Sequence, residues 1–191
     1  MISVFIDGQD NIKDKLDKFF ATHNLEDPKY RSTLNIKKTK LEDCLHLDYS
    51  PNSLDYQEAL QAQPNDTPSR KKIWTDNLQI TDVLGHLRTN HVATVTTKQD
   101  RHPNSGNLFF DPPNNKSRYR FLTPRECIRI MGFNEEDYDI LINGNCMTSP
   151  NHNLFTRDKI YRLAGNSISV KMLEAVFSLI LEIRTKKLVN Q

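Results

Sequence analysis

Arg120-Phe-Leu-Thr-Pro-Arg-Glu-Cys-Ile-Arg-Ile-Met-Gly-Phe133 is the stretch that decides the fold, because it carries the signals of a short, well-defined helix. Thr123 is a good N-cap, and Pro124 suits the first helical position. Glu126 stands three residues after the cap, where its carboxylate can reach the backbone amide of the cap. The pattern therefore predicts a helix that begins at Pro124.

The rest of the stretch predicts where this helix ends and how its faces divide. Gly132 follows the last turn, and glycine takes the left-handed conformation needed there more readily than other residues. Ile128 and Met131, three residues apart, form an apolar face, while Arg125 and Arg129, four apart, share another. By helix rules alone, this is also the pattern of an ordinary capped surface helix.

Two strings in the sequence resemble motifs of the C5 cytosine-specific DNA methyltransferases. Arg-x-Leu-Thr-Pro-Arg-Glu-Cys-x-Arg-x-x-Gly-Phe, from Arg120 to Phe133, resembles the ninth motif of that family. Tyr161-Arg-Leu-Ala-Gly-Asn-Ser-Ile-Ser-Val170 resembles the tenth, and the resemblance extends over residues 94–183. It implies S-adenosylmethionine as cofactor and double-stranded DNA as substrate.

The resemblance also implies roles for individual residues. Asn166 and Ser167 would bind the cofactor, since their side chains can donate hydrogen bonds to the carboxylate of S-adenosylmethionine, and Gly165 before them would permit close backbone approach. Gly-Asn-Ser is equally a common turn before a helix cap, an alternative that needs no ligand. The residues expected to organise the junction between recognition region and catalytic core are Arg120, Thr123, Arg125 and Glu126.

The motifs that carry the family's chemistry do not occur in this sequence. Neither Phe-x-Gly-x-Gly, Pro-Cys-Gln, Glu-Asn-Val nor Gln-x-Arg-x-Arg is found, and no cysteine is preceded by Pro or followed by Gln. We therefore expect no catalytic residue here and a separate, complementing catalytic chain that supplies the nucleophile and the main cofactor loop. The alternatives are a non-catalytic DNA-binding or assembly module, or an inactive remnant.

Composition indicates a soluble, globular chain. Hydrophobic residues make up 37% and charged residues 26% of the 191 residues. No apolar run approaches a membrane span and the start lacks the basic segment of a signal peptide, so we expect a cytoplasmic protein without a membrane partner. Three widely spaced cysteines predict reduced thiols and neither a disulfide framework nor a metal site.

Positive charge is concentrated in the middle of the chain. Residues 70–125 contain ten Lys and Arg against four Asp and Glu, whereas residues 1–69 contain eight against twelve. Such an excess suits a phosphate-facing surface, although a solvated basic face would look the same. The polar loop at residues 98–107 is the predicted DNA-reading element, with Thr94, Lys98 and Arg101 as the candidate DNA-binding residues.

The expected fold class is mixed α/β. We predict the C-terminal part of a Rossmann-like, S-adenosylmethionine-dependent methyltransferase fold, with an irregular, strand-containing target-recognition region. The predicted regions are an N-terminal strand–helix and loop-rich segment (residues 1–69), the target-recognition region (70–125) and helices that return to the catalytic core (126–191).

Local patterns predict the remaining elements. In chain order they are a strand at residues 2–6, a helix from Ile12, short elements at 41–47 and 54–60, a linker or loop at 65–70, a helix at 80–87 capped by Thr81, strands at 92–97 and 108–110, a helix from 135 to 142, a polar loop at 145–158 and a helix after Ser169. The last helix carries a stripe of Val170, Leu173, Val176, Phe177, Ile180 and Ile183. Such a stripe has to be buried, so we expect it to be a partner surface.

Overall fold

The computed structural model describes residues 12–34, 36–37, 39–99, 101, 104–150 and 152–185. The chain forms two compact units, one of residues 1–38 with 170–191 and one of residues 39–169. The boundaries predicted at 69/70 and 125/126 both fall inside the second unit, and the three-region division stays a prediction. The strand predicted at residues 2–6 lies outside the described residues.

The secondary structure is mostly helical. The first unit contains α1 (Ile12–Thr22), α2 (Pro28–Thr33) and α8 (Val170–Thr185). The second contains a 3-10 turn (Leu41–Cys44), α3 (Leu54–Ala62), α4 (Pro68–Asp76), β1 (Leu108–Phe109), β2 (Tyr119–Arg120), α5 (Pro124–Ile130), α6 (Glu135–Asn143), β3 (Met147–Ser149), β4 (His152–Asn153) and α7 (Arg157–Asn166). The predicted helices from Ile12, at 135–142 and after Ser169 are confirmed.

In the first unit, α8 does not bury its predicted apolar stripe. The buried side chains on this helix are those of Ala175 and Leu179, while Phe177 of the stripe is 58% exposed. From α1, Phe19 is buried and His23 Nε2 lies 3.1 Å from Glu182 Oε1. Within this unit, α8 therefore keeps apolar surface in solvent.

The second unit has two small antiparallel sheets. Strands β1 and β2 pair with Leu108 opposite Arg120, and β3 pairs with β4 through an irregular register. The described part of the chain contains no parallel sheet. The expected mixed α/β class holds in this sense, and the strand predicted at 108–110 is confirmed as β1.

Helix α5 lies at the centre of the second unit and packs against α6, α7 and the 3-10 turn. The buried apolar cluster around it consists of Leu41, Ile80, Leu108, Leu122, Cys127, Ile128, Tyr138, Ile160, Tyr161 and Ala164. The stretch quoted at the outset thus forms the core element on which the other elements pack.

The helix predicted at 80–87 is wrong, because these residues form a tight turn. Asp82 N donates to His86 O at 2.9 Å, and the Asp82 carboxylate accepts from the amides of Leu84 and His86. Gly85 has a φ of +83°, which suits glycine. Val83 and Leu84 are 61% and 76% exposed. The apolar spacing over residues 80–87 therefore belongs to a turn with an exposed tip, and not to the buried face of a helix.

Three other local predictions are also wrong. Residues 92–97 make no strand, and the supposed linker at 65–70 contains the start of α4, which Thr67 caps by accepting from Arg70 N at 3.4 Å. The polar loop predicted at 145–158 contains the β3–β4 hairpin and the first turn of α7. Cap signals at Thr67 and Thr156, each accepting from the amide three residues later, mark both helix starts.

One helical segment in the described ranges, Arg157–Thr185, is long and apolar enough to cross a membrane by length and composition alone. Sequence inspection did not anticipate it. Core helices of soluble proteins pass the same test, and the segment is divided into α7 and α8 at residues 167–169. The finding is weak evidence for a membrane span.

Candidate functional site

The predicted capping box of α5 is present. Thr123 Oγ1 accepts from Glu126 N at 3.2 Å, and Glu126 Oε2 accepts from Thr123 N at 2.7 Å. At the other end, Gly132 has a φ of +97° and donates its amide to Arg129 O at 2.9 Å. Both ends of α5 are therefore fixed by the residues that mark them in the sequence.

Arg120 and Glu126 form a completely buried pair at the start of α5. Arg120 Nη1 and Nη2 each donate to a Glu126 oxygen at 2.8 Å. The remaining guanidinium donors reach Tyr49 Oη, Phe121 O and His46 O at 2.9 to 3.0 Å, and Glu126 Oε1 also accepts from His46 N. Every donor of Arg120 is thus used, and the pair holds both backbone groups of residue 46.

The environment keeps both groups of this pair charged. Burial would raise the pKa of Glu126, but the Arg120 guanidinium and the hydrogen bonds from His46 and Thr123 outweigh it and leave the pKa below its usual value. Burial likewise opposes the charge of Arg120, yet Glu126 raises the pKa of Arg120 above its usual value. The pair acts as a fixed internal clamp with no group left over for a ligand.

Arg125 belongs to a second, partly exposed charge cluster. Its Nε donates to Glu58 Oε1 at 3.0 Å, its Nη1 bonds Glu135 and Asp139, and its guanidinium lies 4.4 Å from the centre of the Tyr138 ring. These contacts join α5 to α3 and α6. All four residues predicted to be structural, Arg120, Thr123, Arg125 and Glu126, thus make contacts inside the fold.

None of the cysteines has the surroundings of a nucleophile. Cys127 is completely buried, and burial raises the pKa of its thiol well above 9.0. Burial also raises the pKa of Cys44, whereas Cys146 is a free cysteine with an exposed side chain. In the described ranges, no group of three or more His, Cys, Asp or Glu side chains is placed to hold a metal ion.

The most informative cleft lies between α7 and the segment that precedes β1. It has a volume of about 290 Å³ and is lined by Thr97, Lys98, Arg101, Asp158, Arg162 and Asn166. We call it the basic cleft. It brings together two of the predicted DNA-binding residues, Lys98 and Arg101, with the predicted cofactor residue Asn166.

The charges of the basic cleft favour an anion. Among the described residues, its lining includes the basic side chains of Lys98, Arg101 and Arg162 and the carboxylate of Asp158. Within the described residues, no ion pair joins Lys98 or Arg162 to an acidic side chain. Both charges are therefore available to a ligand such as a phosphate or a carboxylate.

The structure separates the two predicted cofactor residues. Asn166 is the last residue of α7, is exposed, and its side chain makes no hydrogen bond in the part of the chain that the structure describes. Ser167 caps the helix, and its hydroxyl donates to Ala164 O at 2.7 Å. A hydroxyl has one donor, so in this conformation Ser167 cannot donate to a carboxylate.

Thr94 and Arg162 mark what the sequence-based prediction missed. Thr94 is exposed and does not line the basic cleft. Arg162, which does line it, was not singled out from the sequence. It lies four residues before Asn166 on α7, so helical spacing could have placed both on one face.

The chain matches the model of a known protein family. Residues 6–182 match the family described as C-5 cytosine-specific DNA methylase. The orphan methyltransferase M.Rho11sI of Bacillus phage rho11s is 39% identical over 62 residues, or 32% of this chain and 10% of that protein. The orphan methyltransferase M.SPRI of Bacillus phage SPR is 36% identical over 62 residues, 32% of this chain and 12% of that protein.

A solved structure resembles the chain more broadly. The crystal structure of S. pombe Dnmt2 methyltransferase superposes with a TM-score of 0.51 and 18% identity, covering 84% of this chain and 47% of that one. At this identity, the likeness concerns the fold alone. The chain thus spans about half of this structural neighbour and matches about a tenth of the two phage proteins.

Proposed function

This chain belongs to the C-5 cytosine-specific DNA methylase family, and we propose that it is the DNA-recognition and cofactor-pocket-completing part of a DNA (cytosine-5)-methyltransferase. The observation that carries the proposal is the basic cleft. Lys98 and Arg101, from the predicted DNA-reading loop at residues 98–107, line it together with Asn166, from the string that resembles the tenth motif. One cleft therefore offers contacts to both substrates of a methyl transfer.

The side chains of the cleft divide the work by their chemistry. Lys98 and Arg162 suit phosphate groups, because neither forms an ion pair with an acidic side chain of the described residues. Arg101 can bond O6 and N7 of a guanine, and the exposed Thr94, which precedes the predicted DNA-reading loop, is the other proposed DNA contact. These contacts would set the register of double-stranded DNA on this chain.

Asn166 fits one end of S-adenosylmethionine. Its side-chain amide has two donors and no partner among the described residues, and a carboxylate in this cleft would also meet the field of the surrounding cations. Ser167 fits less well, since its hydroxyl donates to Ala164 O. When bound, the cofactor would supply the methyl group, and Asn166 would orient its non-reacting end.

Chemistry would come from a complementing catalytic chain. The sequence lacks the Pro-Cys-Gln, Glu-Asn-Val and Phe-x-Gly-x-Gly strings, so the nucleophilic cysteine and main cofactor loop would be supplied by that chain. We propose a split enzyme in the cytoplasm, as part of a restriction-modification system. The apolar side chains that α8 leaves exposed in its own unit are the proposed surface for this partner.

Reconstitution tests the proposal. The purified chain is incubated with labelled S-adenosylmethionine and mixed genomic DNA, alone and with a second chain that carries the four missing motifs. We expect DNA methylation only when both chains are present. Product in excess of enzyme from this chain alone would contradict the split, and DNA binding without methylation by the pair would favour the non-catalytic module.

A further inference from the structure

Gly165 is the point at which the segment of residues 92–99, which leads into the predicted DNA-reading loop, lies directly on α7. A Cβ atom placed on Gly165 would lie 2.4 Å from Thr97 N, 2.5 Å from Thr96 C and 2.9 Å from Thr96 O. All three are backbone atoms, so no change of side-chain rotamer could make room. Any residue other than glycine must push the segment away from the helix.

The segment also has contacts of its own, since Val92 and Val95 pack against the buried apolar cluster. Among the described residues it belongs to no sheet, and Ala93 N donates to Ser105 O at 3.2 Å. After Thr97 in the sequence, the buried Gln99 side chain donates to Ser105 Oγ. At Thr96 and Thr97, the contact with Gly165 therefore sets how closely the backbone of the segment approaches α7.

From this geometry we propose that Gly165 is a positioning residue that sets the width of the basic cleft. It fixes Lys98 and Arg101, which follow Thr97, against Arg162 and Asn166 of α7. That the ligand is DNA rests on the proposed function. The positioning by Gly165 does not depend on it. It also couples the two ligands, since a shift of the segment changes the DNA side and the Asn166 side of one cleft together.

The test compares Gly165→Ala with Gly144→Ala. Gly144 ends α6, and a Cβ there would meet a single atom, Ile140 O, at 3.0 Å. In Gly165→Ala we expect faster amide hydrogen exchange in residues 92–99 and unchanged exchange in α5. Gly144→Ala should leave residues 92–99 as in the wild type. Wild-type exchange there in a folded Gly165→Ala chain would overturn the proposal.

DNA binding gives a second measurement. If the displaced segment takes Lys98 away from a DNA phosphate and Arg101 away from a base, the slope of log K against log salt should fall by about one unit in Gly165→Ala, at roughly 0.9 per phosphate contact, and one position of the recognised site should blur. A glycine needed only for folding would lower the melting temperature and leave this slope intact. In the Gly165→Ala background, Lys98→Ala should then have no further effect on the slope.

Thr97→Pro applies the same clash from the opposite side. The proline ring places a carbon on the nitrogen nearest Gly165 and leaves the sequence of α7 untouched. It should reproduce the exchange and slope changes, and it decides the matter if Gly165→Ala does not fold. A wild-type chain that binds no DNA would contradict the proposed function, whereas unchanged exchange in both variants would contradict the positioning by Gly165.

Discussion

Arg120 and Glu126 face each other as a two-pronged ion pair, with both N–O distances at 2.8 Å and neither side chain exposed to solvent. The pair begins the core helix and also holds the backbone N–H and C=O of His46, 74 to 80 residues away in sequence. Replacing a buried pair by apolar residues is often nearly neutral, but removing one partner leaves an uncompensated charge. The pair is therefore best probed one side at a time.

Arg120→Met should destabilise the chain by about 3 to 5 kcal/mol, because Glu126 would remain buried without its partner. Glu126→Gln should fall in the same range for the converse reason. Urea denaturation of each variant, followed by circular dichroism, measures the change in the free energy of unfolding. A loss below about 1 kcal/mol for both would show that solvent reaches the pair in solution.

The double variant Arg120→Met with Glu126→Leu is the control for this prediction. Neither charge is then left alone, so its destabilisation should be smaller than the sum of those of Arg120→Met and Glu126→Leu measured singly. Some loss should persist, since His46 N, His46 O and Phe121 O would each lose a buried hydrogen-bond partner. Strict additivity would mean that the two side chains do not interact.

Acid should weaken the fold through the same pair. Because the folded-state pKa of Glu126 lies below its usual value of 4.5, its contribution to stability is present above that value and is lost as the pH falls through the folded-state pKa. Glu135, whose pKa is also lowered despite partial burial, adds to this effect through Arg125 and Arg129.

Unfolding free energies measured between about pH 2 and 7 test whether stability falls on acidification, as expected from Glu126. Glu126→Gln should be less stable than the wild type at neutral pH, and the difference should shrink as the pH falls below 4.5. Glu135→Gln should show a weaker form of the same trend, since its carboxylate is partly exposed. A difference for Glu126→Gln that grows on acidification would contradict the charged, buried pair.

Short-range signals predicted much of this structure. The capping box of Thr123 with Glu126 involves residues three apart, so it could be recognised from the sequence alone. The turn at Val83 and Leu84 was mistaken for a helix, because apolar spacing does not reveal that its members are exposed. What fixes it is the Asp82 carboxylate and a bond from Ile80 N to Asn107 O, which is a tertiary contact.

The candidate site was predicted only in part, because some of its contacts are tertiary. Asn166, Lys98 and Arg101 could be named from motif resemblance and charge, and they line one cleft. The position of Gly165 could not be deduced, since the atoms that approach it belong to Thr96 and Thr97, almost 70 residues earlier. The sequence suggested that Gly165 makes room for a cofactor, but the chain's own backbone occupies that side of it.

Thr96→Val should leave the fold as stable or make it more stable. Thr96 Oγ1 is buried and has no hydrogen-bond partner among the described residues, and an unsatisfied buried hydroxyl costs about 1 to 3 kcal/mol. Valine has nearly the same shape and no polar atom to satisfy. Thermal unfolding followed by circular dichroism measures the effect.

Thr67→Val is the matched control for Thr96→Val. The hydroxyl of Thr67 accepts from Arg70 N at the start of α4, and loss of such a cap costs about 1 kcal/mol. The two substitutions are chemically identical and differ in whether the hydroxyl accepts a hydrogen bond. The melting temperature should therefore fall for Thr67→Val and not for Thr96→Val. A clear destabilisation by Thr96→Val would reveal a partner for its hydroxyl in solution.

Changes in the basic cleft should alter DNA binding in two ways. Lys98→Ala and Arg162→Ala should each lower the salt slope by about one unit on every sequence, if each meets a phosphate. Arg101→Ala should weaken binding by roughly 1 to 3 kcal/mol and blur one position of the recognised site, if it reads a base. Fluorescence anisotropy at several salt concentrations and a panel of DNA sequences supply both measurements.

Lys72→Ala is the control for these variants. Lys72 is an exposed lysine of α4 that does not line the basic cleft, so its replacement removes the same charge from another part of the second unit. It should leave the salt slope unchanged. Equal effects from Lys72→Ala and Lys98→Ala would mean that general charge, and not the cleft, attracts DNA.

Asn166→Ala and Ser167→Ala should have different effects, because their side chains are used differently. Asn166 has no hydrogen-bond partner in the described residues, and its proposed bond to an ionised carboxylate is worth about 1.5 to 3 kcal/mol. Its replacement should weaken S-adenosylmethionine binding by roughly tenfold to a hundredfold, at about 1.4 kcal/mol per decade. The part of the cofactor concerned does not react, so KM should change more than kcat.

Ser167→Ala should instead lower the melting temperature, since the hydroxyl bonds Ala164 O at the end of α7, and leave cofactor affinity nearly unchanged. Calorimetric titration of S-adenosylmethionine into the assembled complex, with each variant first checked for assembly, separates the two outcomes. A wild-type dissociation constant for Asn166→Ala would remove Asn166 from the cofactor pocket. Loss of affinity in Ser167→Ala at full assembly would mean that its hydroxyl leaves Ala164 O and turns to the ligand.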